Sequence, residues 1–265
     1  EKITTPRTAP AKSTAAWKAL AKAGTALGWR KPWVTKSVAS ELRRLHAARA
    51  TAFKPDDDDA HEALLRQFWR ALSSEPFTRA GEVWKSLGFQ GVNPATDVRG
   101  GGLLAVMCLA EFATDFGAGL RRMLQQLAEA ASTLADGSTS ERFYPVSTTA
   151  IVICCRLCDA IGISDGMRGA IGEYELERRL KDEATLLRGP LARLLVLAPR
   201  RGQRSAFQWL FAMALASFHV KFVNGNCTYL DAQPLLGEVF LELERVGTSS
   251  TSISDVHSAF VADAD

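Results

Sequence analysis

Apolar residues recur at helical spacing along most of this 265-residue chain, and alternating strand patterns are almost absent. Glycine and proline cut the pattern into helix-sized segments, and no repeat period runs through it. The chain therefore reads as all-α, a compact multi-helix body behind a basic N-terminal arm. With 47% hydrophobic and 23% charged residues, a chain of this length can bury a core without disulfide or metal staples.

Charge divides it. Residues 1–54 carry 12 Lys+Arg against Glu1 and Glu41, a net +10, while residues 55–265 are net −7, so the overall +3 hides both. The Pro/Ala/Lys-rich arm, 1–54, is expected to be flexible over 1–16, helical from Ser13 to Leu27 up to Gly28, and helical again from Lys36 to Ala50, with Val38, Leu42 and Leu45 in register. Trp17, Trp29 and Trp33 in so polar a stretch imply docking on a surface. An acidic protein surface, tubulin's tails for example, is one candidate partner. Nucleic acid ranks behind it because no reader module accompanies the charge, and a plain solvated arm is the alternative. The acid-poor start also fits the remnant of an organelle transit peptide.

In the body, Asp56–Asp59 starts a helix by placing carboxylates at the positive end of its dipole; Leu64, Leu65, Phe68 and Leu72 give it one apolar face. Pro76 ends it, and a short helix is expected over Phe77–Leu87 up to Gly88. A loop then spans 88–102. A long helix runs from Leu103 to about Leu134, broken near Gly117–Gly119, and leads to a polar loop over Asp136–Ser140. Pro145 opens a helix with Ile151–Ile161 as its apolar part, and Met167–Leu187 reads as amphipathic, Glu173, Glu175, Glu177, Arg178, Arg179 and Lys181 forming a solvated face. Pro190, Pro199, Arg200, Arg201 and Arg204 punctuate the stretch between that helix and the next. Helices over Ser205–Val223 and Pro234–Val246 precede a Ser/Thr-rich tail, 247–265.

Much chemistry is excluded. No P-loop, nucleophile elbow or His-Glu-x-x-His helix occurs, and His46, His61, His219 and His257 are scattered. Cys108, Cys154, Cys155, Cys158 and Cys227 are odd in number and lie mostly in apolar runs. They read as buried thiols in a reducing compartment, with Cys155 and Cys158 as core residues rather than metal ligands. No transmembrane segment is expected, because the most apolar run, Phe207–Val223, is short and contains Gln208, Ser217, His219 and Lys221. No metal or cofactor is expected.

One segment carries more information than the rest: Trp84 through Gly88-Phe89-Gln90, Pro94, Thr96-Asp97 and Arg99-Gly100-Gly101-Gly102. It sets one Arg in a glycine-rich turn just before a long apolar helix. Trp84 and Phe89 can pin the loop's ends, Thr96 and Asp97 can bond nearby amides, and Pro94 stiffens the approach. Gly100 and Gly102 are expected to permit positive φ and close approach of another surface. The alternative is a local staple, Arg99 bonded to Asp97 or to a helix end.

This segment resembles the signature of the ELMO domain family. Trp84, Gly88, Phe89, Gln90, Pro94, Thr96, Asp97, Arg99, Gly100 and Gly102 stand at the matching spacing, with weaker likeness in Leu64–Trp69, Phe143–Pro145 and Phe207–Glu244. The likeness covers roughly 57–246 and leaves the arm outside. It implies an all-helical domain that regulates small GTPases. In the smaller family members this is activation of GTP hydrolysis on Arf or Arf-like GTPases, with the signature Arg as catalytic finger, here Arg99. Mg²⁺ and GTP would belong to the partner. Val98 and Val106 are smaller than the family's usual residues, and Gly101 makes three successive glycines, which is expected to loosen the turn. The competing reading is a non-catalytic binding or structural module in a cytoskeletal or ciliary assembly, docked through the arm. Either role implies a cytoplasmic setting.

Overall fold

In the computed structural model, residues 36–132, 142–166, 169–182, 189–197 and 205–249 are described. The arm's first helix, its three tryptophans, the Asp136–Ser140 loop and the Arg200, Arg201 and Arg204 cluster lie outside these residues. The described residues form ten α-helices, and their only β-type pairing is a lone Ser164–Ala170 bridge. The helices are α1 (Lys36–Ala50), α2 (Asp59–Leu72), α3 (Val83–Ser86), α4 (Pro94–Asp97), α5 (Gly102–Ser132), α6 (Val146–Ala160), α7 (Glu173–Lys181), α8 (Pro190–Leu197), α9 (Ala206–Asn224) and α10 (Ala232–Ser249).

The long α5 is the axis of the body: α1, α2, α6 and α9 all pack on it. Its buried residues Leu104, Ala105, Leu109, Phe112, Ala113 and Leu120 recur on the helical period. The expected break falls at Phe116 (φ −126°, ψ 28°), just before Gly117. There the α2 carbonyl of Ala71 comes close to Gly117 and accepts a hydrogen bond from Arg121. The bend thus sits against a backbone contact with α2. By length and composition Gly102–Ala131 and Ala206–Asn224 could span a membrane, yet half or more of each apolar stretch (50% and 61%) is buried within the body.

Several elements differ from their sequence expectation. Helix α1 is no part of a free arm, because Val38, Leu42 and Leu45 are buried and seat it on α5. Charge drew the boundary at 54, and the apolar stripe overrules it. Helix α3 covers only Val83–Ser86, because the Trp84 indole donates back to the Thr78 carbonyl at 3.0 Å and holds 78–82 as a turn. Helix α7 begins at Glu173, since the chain before it runs extended, with the Ile171 amide bonded to Ile163 O at 3.2 Å. Pro190 starts a helix instead of interrupting one, as suits a residue with no amide to lose at a first turn. Helix α10 extends to Ser249, into the expected tail.

Where α2 begins, Asp58 caps it, accepting from the amides of Ala60 (2.8 Å) and His61 (3.3 Å). Cys108, Cys154, Cys155 and Cys158 are buried free thiols. The Cys108 thiol and burial hold Cys154 well above the ordinary thiol range against an opposing bond from Cys158, the Cys154 thiol and burial do the same to Cys158, and burial pushes Cys155 up to about 11. Such thiols are inert packing residues. On α7, Glu173 is exposed, whereas Glu175 and Glu177 are bound to arginines.

Candidate functional site: an arginine on a braced turn

An aromatic cluster anchors the signature segment. Trp84 is fully buried and meets Trp69 edge-on at 4.9 Å, Phe89 at 5.4 Å and Phe77 at 6.3 Å between ring centroids. Phe68 stacks on it at 6.3 Å. Edge-to-face pairs of this kind add to the apolar area they bury, so the front of the segment, Trp84 to Phe89, is tied to α2.

From that anchor the chain crosses to the start of α6. Gly88 has φ +86°, and a side chain there would strike the Ser147 backbone. Its carbonyl accepts from the amides of Ser147 (2.9 Å) and Thr148 (3.3 Å), while the Ser147 hydroxyl donates to Leu87 O at 2.6 Å. Pro145 supplies no cap of its own, so this loop satisfies two of the donors every helix start leaves open.

Asn93 caps α4 by accepting from the Ala95 amide at 3.0 Å, and buried Pro94 opens it. Thr96 donates to Asn93 O at 2.8 Å. Asp97 turns inward, where its Oδ2 accepts from the Gln90 amide (2.7 Å), the Gly91 amide (3.4 Å) and the Thr148 hydroxyl (3.2 Å). The Gln90 side chain is exposed on the rim. A carboxylate so occupied is unavailable to Arg99, and the local-staple alternative fails at Asp97.

Val98 is fully buried and carries a single 3-10 turn, Val98–Gly100; Val106 is buried as well. Arg99 is exposed, and among the described residues it has no hydrogen bond or ion pair. The three glycines after it play unlike parts. Gly100 has ordinary backbone and open space where a side chain would stand, and its carbonyl accepts from the Cys155 thiol at 3.3 Å. Gly101 is buried, and a side chain there would run into Ala105 and Ile151. Gly102 has φ +62°, with the Arg49 carbonyl 2.5 Å from where a Cβ would sit. Only Gly102 takes the positive φ expected of two positions. Gly101 does not loosen the turn: its bareness lets the turn press against α5 and α6.

Sequence reading missed Ser147, Thr148 and Cys155, which hold the turn from α6, and Thr51, whose carbonyl accepts from the Leu103 amide at 2.9 Å. No pattern in the chain flags them, since each acts through a contact between residues dozens of positions apart.

Fold and turn together define an all-α protein that presents one unpaired arginine on a rigidly held bend. Residues 43–236 match the ELMO/CED-12 family, and the chain belongs to it. It is 35% identical over 103 residues to ELMO domain-containing protein B of Dictyostelium discoideum, covering 38% of this chain and 32% of that protein. To human ELMO domain-containing protein 3 it is 42% identical over 60 residues, covering 22% and 16%. To human ELMO domain-containing protein 2 it is 36% identical over 67 residues, covering 24% and 23%. These matches span a third or less of each relative's length. No solved structure matches the chain. The match begins inside α1, in keeping with that helix's place in the core.

Proposed function

We propose that the chain stimulates GTP hydrolysis on a small GTPase of the Arf or Arf-like type, with Arg99 entering the partner's site as an arginine finger. Family membership supports a role in GTPase regulation in general, and one observation favours the finger: Arg99 is exposed and unpaired on a turn braced from α2, α5 and α6. The partner supplies P-loop, Mg²⁺ and attacking water. Arg99 supplies positive charge where negative charge builds on the β–γ bridging and γ oxygens, and its planar fork reaches two of them at once. Asp97 faces away and does not quench that charge. Gly100, bare and open, leaves room for the partner's surface beside the finger. Gly101, packed against Ala105 and Ile151, gives the turn no looseness that would favour a non-catalytic module.

Single-turnover hydrolysis on a panel of Arf and Arf-like GTPases tests this. Arg99→Ala should lower the stimulated rate by about 10³–10⁵-fold, Arg99→Lys should recover little of it, and both variants should melt like the parent. Equal rates for parent and Arg99→Lys would eliminate the finger. Tubulin or another acidic partner of the arm is a separate proposal, tested by deleting residues 1–33. Deleting 1–54 would also remove the core helix α1.

A further inference from the structure

The end of α1 supports the arginine turn from behind, and it carries a charge that no acceptor among the described residues satisfies. The Thr51 carbonyl accepts from the Leu103 amide at 2.9 Å, and the Arg49 carbonyl presses so closely on Gly102 that no side chain would fit there. The Arg49 side chain itself is 5% exposed. Its Nε and Nη2 atoms are buried without a hydrogen-bond partner, and among the described residues it forms no ion pair. Arg43, Arg44 and Arg178 each use that same Nε–Nη2 edge to grip a carboxylate with two bonds. At Arg49 the edge is empty. Its charge reaches the thiols of Cys155 and Cys158, and the Asp159 carboxylate, which acts on the same two thiols, accepts instead from the Gly166 amide at 2.9 Å.

A buried guanidinium without an acceptor is costly. The negative end of α1 offsets part of that cost. The rest is carried by neighbours in the same helix: Leu42 and Leu45 are buried, and His46 Nε2 lies 2.6 Å from Ile171 O. These contacts hold the middle of α1 down, whereas Arg49 gains its hydrogen bonds only when the last turn lifts into water. Lifting would withdraw the Arg49 and Thr51 carbonyls from the arginine turn and leave the rest of α1 seated. A segment balanced in this way opens locally, ahead of the rest of the fold.

We propose that residues 49–51 form a latch on the arginine turn, closed in this structure, which releases when the Arg49 guanidinium moves to solvent. Closed, it holds the base of Arg99 still; open, it takes that support away. The latch thereby regulates the site described above, and its effect on GTP hydrolysis rests on that reading of Arg99. A methionine at 49 would fill similar space without the buried charge, and nothing would then favour release.

Amide hydrogen exchange at Leu103 in the whole chain tests the latch without any GTPase, with Leu109, deeper in α5, as the reference. Arg49→Met should slow Leu103 exchange relative to Leu109 about tenfold or more, whereas Arg49→Lys, which keeps the charge, should stay within about twofold of the parent. An unchanged or faster ratio in Arg49→Met would overturn the latch, as would equal slowing in both variants. Should Arg49→Met fail to fold, Arg49→Gln decides: slowing of about threefold or more supports the latch, and none counts against it. The link to the finger is measured separately, on a GTPase that the parent activates. Gly102→Ala, whose Cβ would meet the Arg49 carbonyl, should speed Leu103 exchange and lower the stimulated rate about tenfold or more. Should that variant not fold, Leu45→Ala loosens the same seat. Faster exchange at an undiminished rate would overturn the coupling. Arg99→Lys should leave Leu103 exchange as in the parent, so that failure of the finger and failure of the latch are told apart.

Discussion

The arginine turn and the α7 edge are both attached to the body by polar contacts, and they are attached in opposite ways. The turn rests on the buried bond from Ser147 to Leu87 O and on the Ser147 and Thr148 amides at Gly88 O, with Asp97 adding an exposed bond to Gln90 and part-buried ones to Gly91 and Thr148, over a base formed by fully buried Trp84 and Val98. Helix α7 buries Leu176 and Leu180 and is otherwise held by Arg43, which binds Glu177 at 2.6 and 2.9 Å, and by Arg179, which donates to Gly162 O at 2.8 Å; the pairs of Arg178 and Arg179 with Glu175 lie within the helix itself. Arg43 and Glu177 keep 50% and 42% of their side-chain exposure, so water and salt compete for that pair. Contacts in the interior fix a position, whereas contacts in solvent bias one. A residue that must be held still while pointing outward needs the first kind beneath it.

The largest effect should come from removing the turn's base. Trp84→Ala should cost about 3–5 kcal/mol in chemical denaturation, and a loss below about 1 kcal/mol would break the claim that the aromatic cluster anchors the turn. A buried histidine should behave in the same class. His219, whose Nδ1 lies 2.9 Å from the Tyr144 hydroxyl and whose Nε2 lies 2.8 Å from Gln126 Oε1, is held neutral, its pKa lowered by burial to about 4. Its folded value lies below the unfolded one, near 6.5, so its stabilisation is complete above pH 6.5 and is lost as pH falls toward 4. That amounts to about 3 kcal/mol. The measurement is stability against pH for parent and His219→Gln, whose difference should shrink by that amount across the window; parallel curves would refute it.

Asp97→Asn should cost about 1–3 kcal/mol, because it exchanges an acceptor of two amides and a hydroxyl for a poorer one. Amide exchange at Gln90 should rise with it, and unchanged exchange would show that the carboxylate does not brace the loop. The smallest effect belongs to the edge. Arg43→Ala should change stability by about 0–1 kcal/mol, and raising the salt concentration should erase the difference. A larger, salt-insensitive loss would mean that the edge is held as the turn is.

Much of this was legible in the chain. Leu65, Phe68 and the α5 stripe announce their helices because apolar side chains at 3.6-residue spacing have only one way to share a face. The signature likewise marks where to look, since Trp84, Pro94 and Arg99 stand at fixed offsets. Less legible were the boundaries, which depend on single long-range bonds: the Trp84 indole on Thr78 O cut α3 short, and the Ile171 amide on Ile163 O delayed α7.

The sequence by itself determined an all-α body, an acidic balance in it beyond residue 54, and a lone arginine among glycines ahead of the long helix, all of which come from local spacing and composition. Only the tertiary structure decided that α1 belongs to the core, that Gly101 is a packing contact, and that Asp97 looks inward while Arg99 looks out. Each of those depends on which distant backbone or side chain lies within about 3 Å, the reach of a hydrogen bond, and that is settled by how the helices pack.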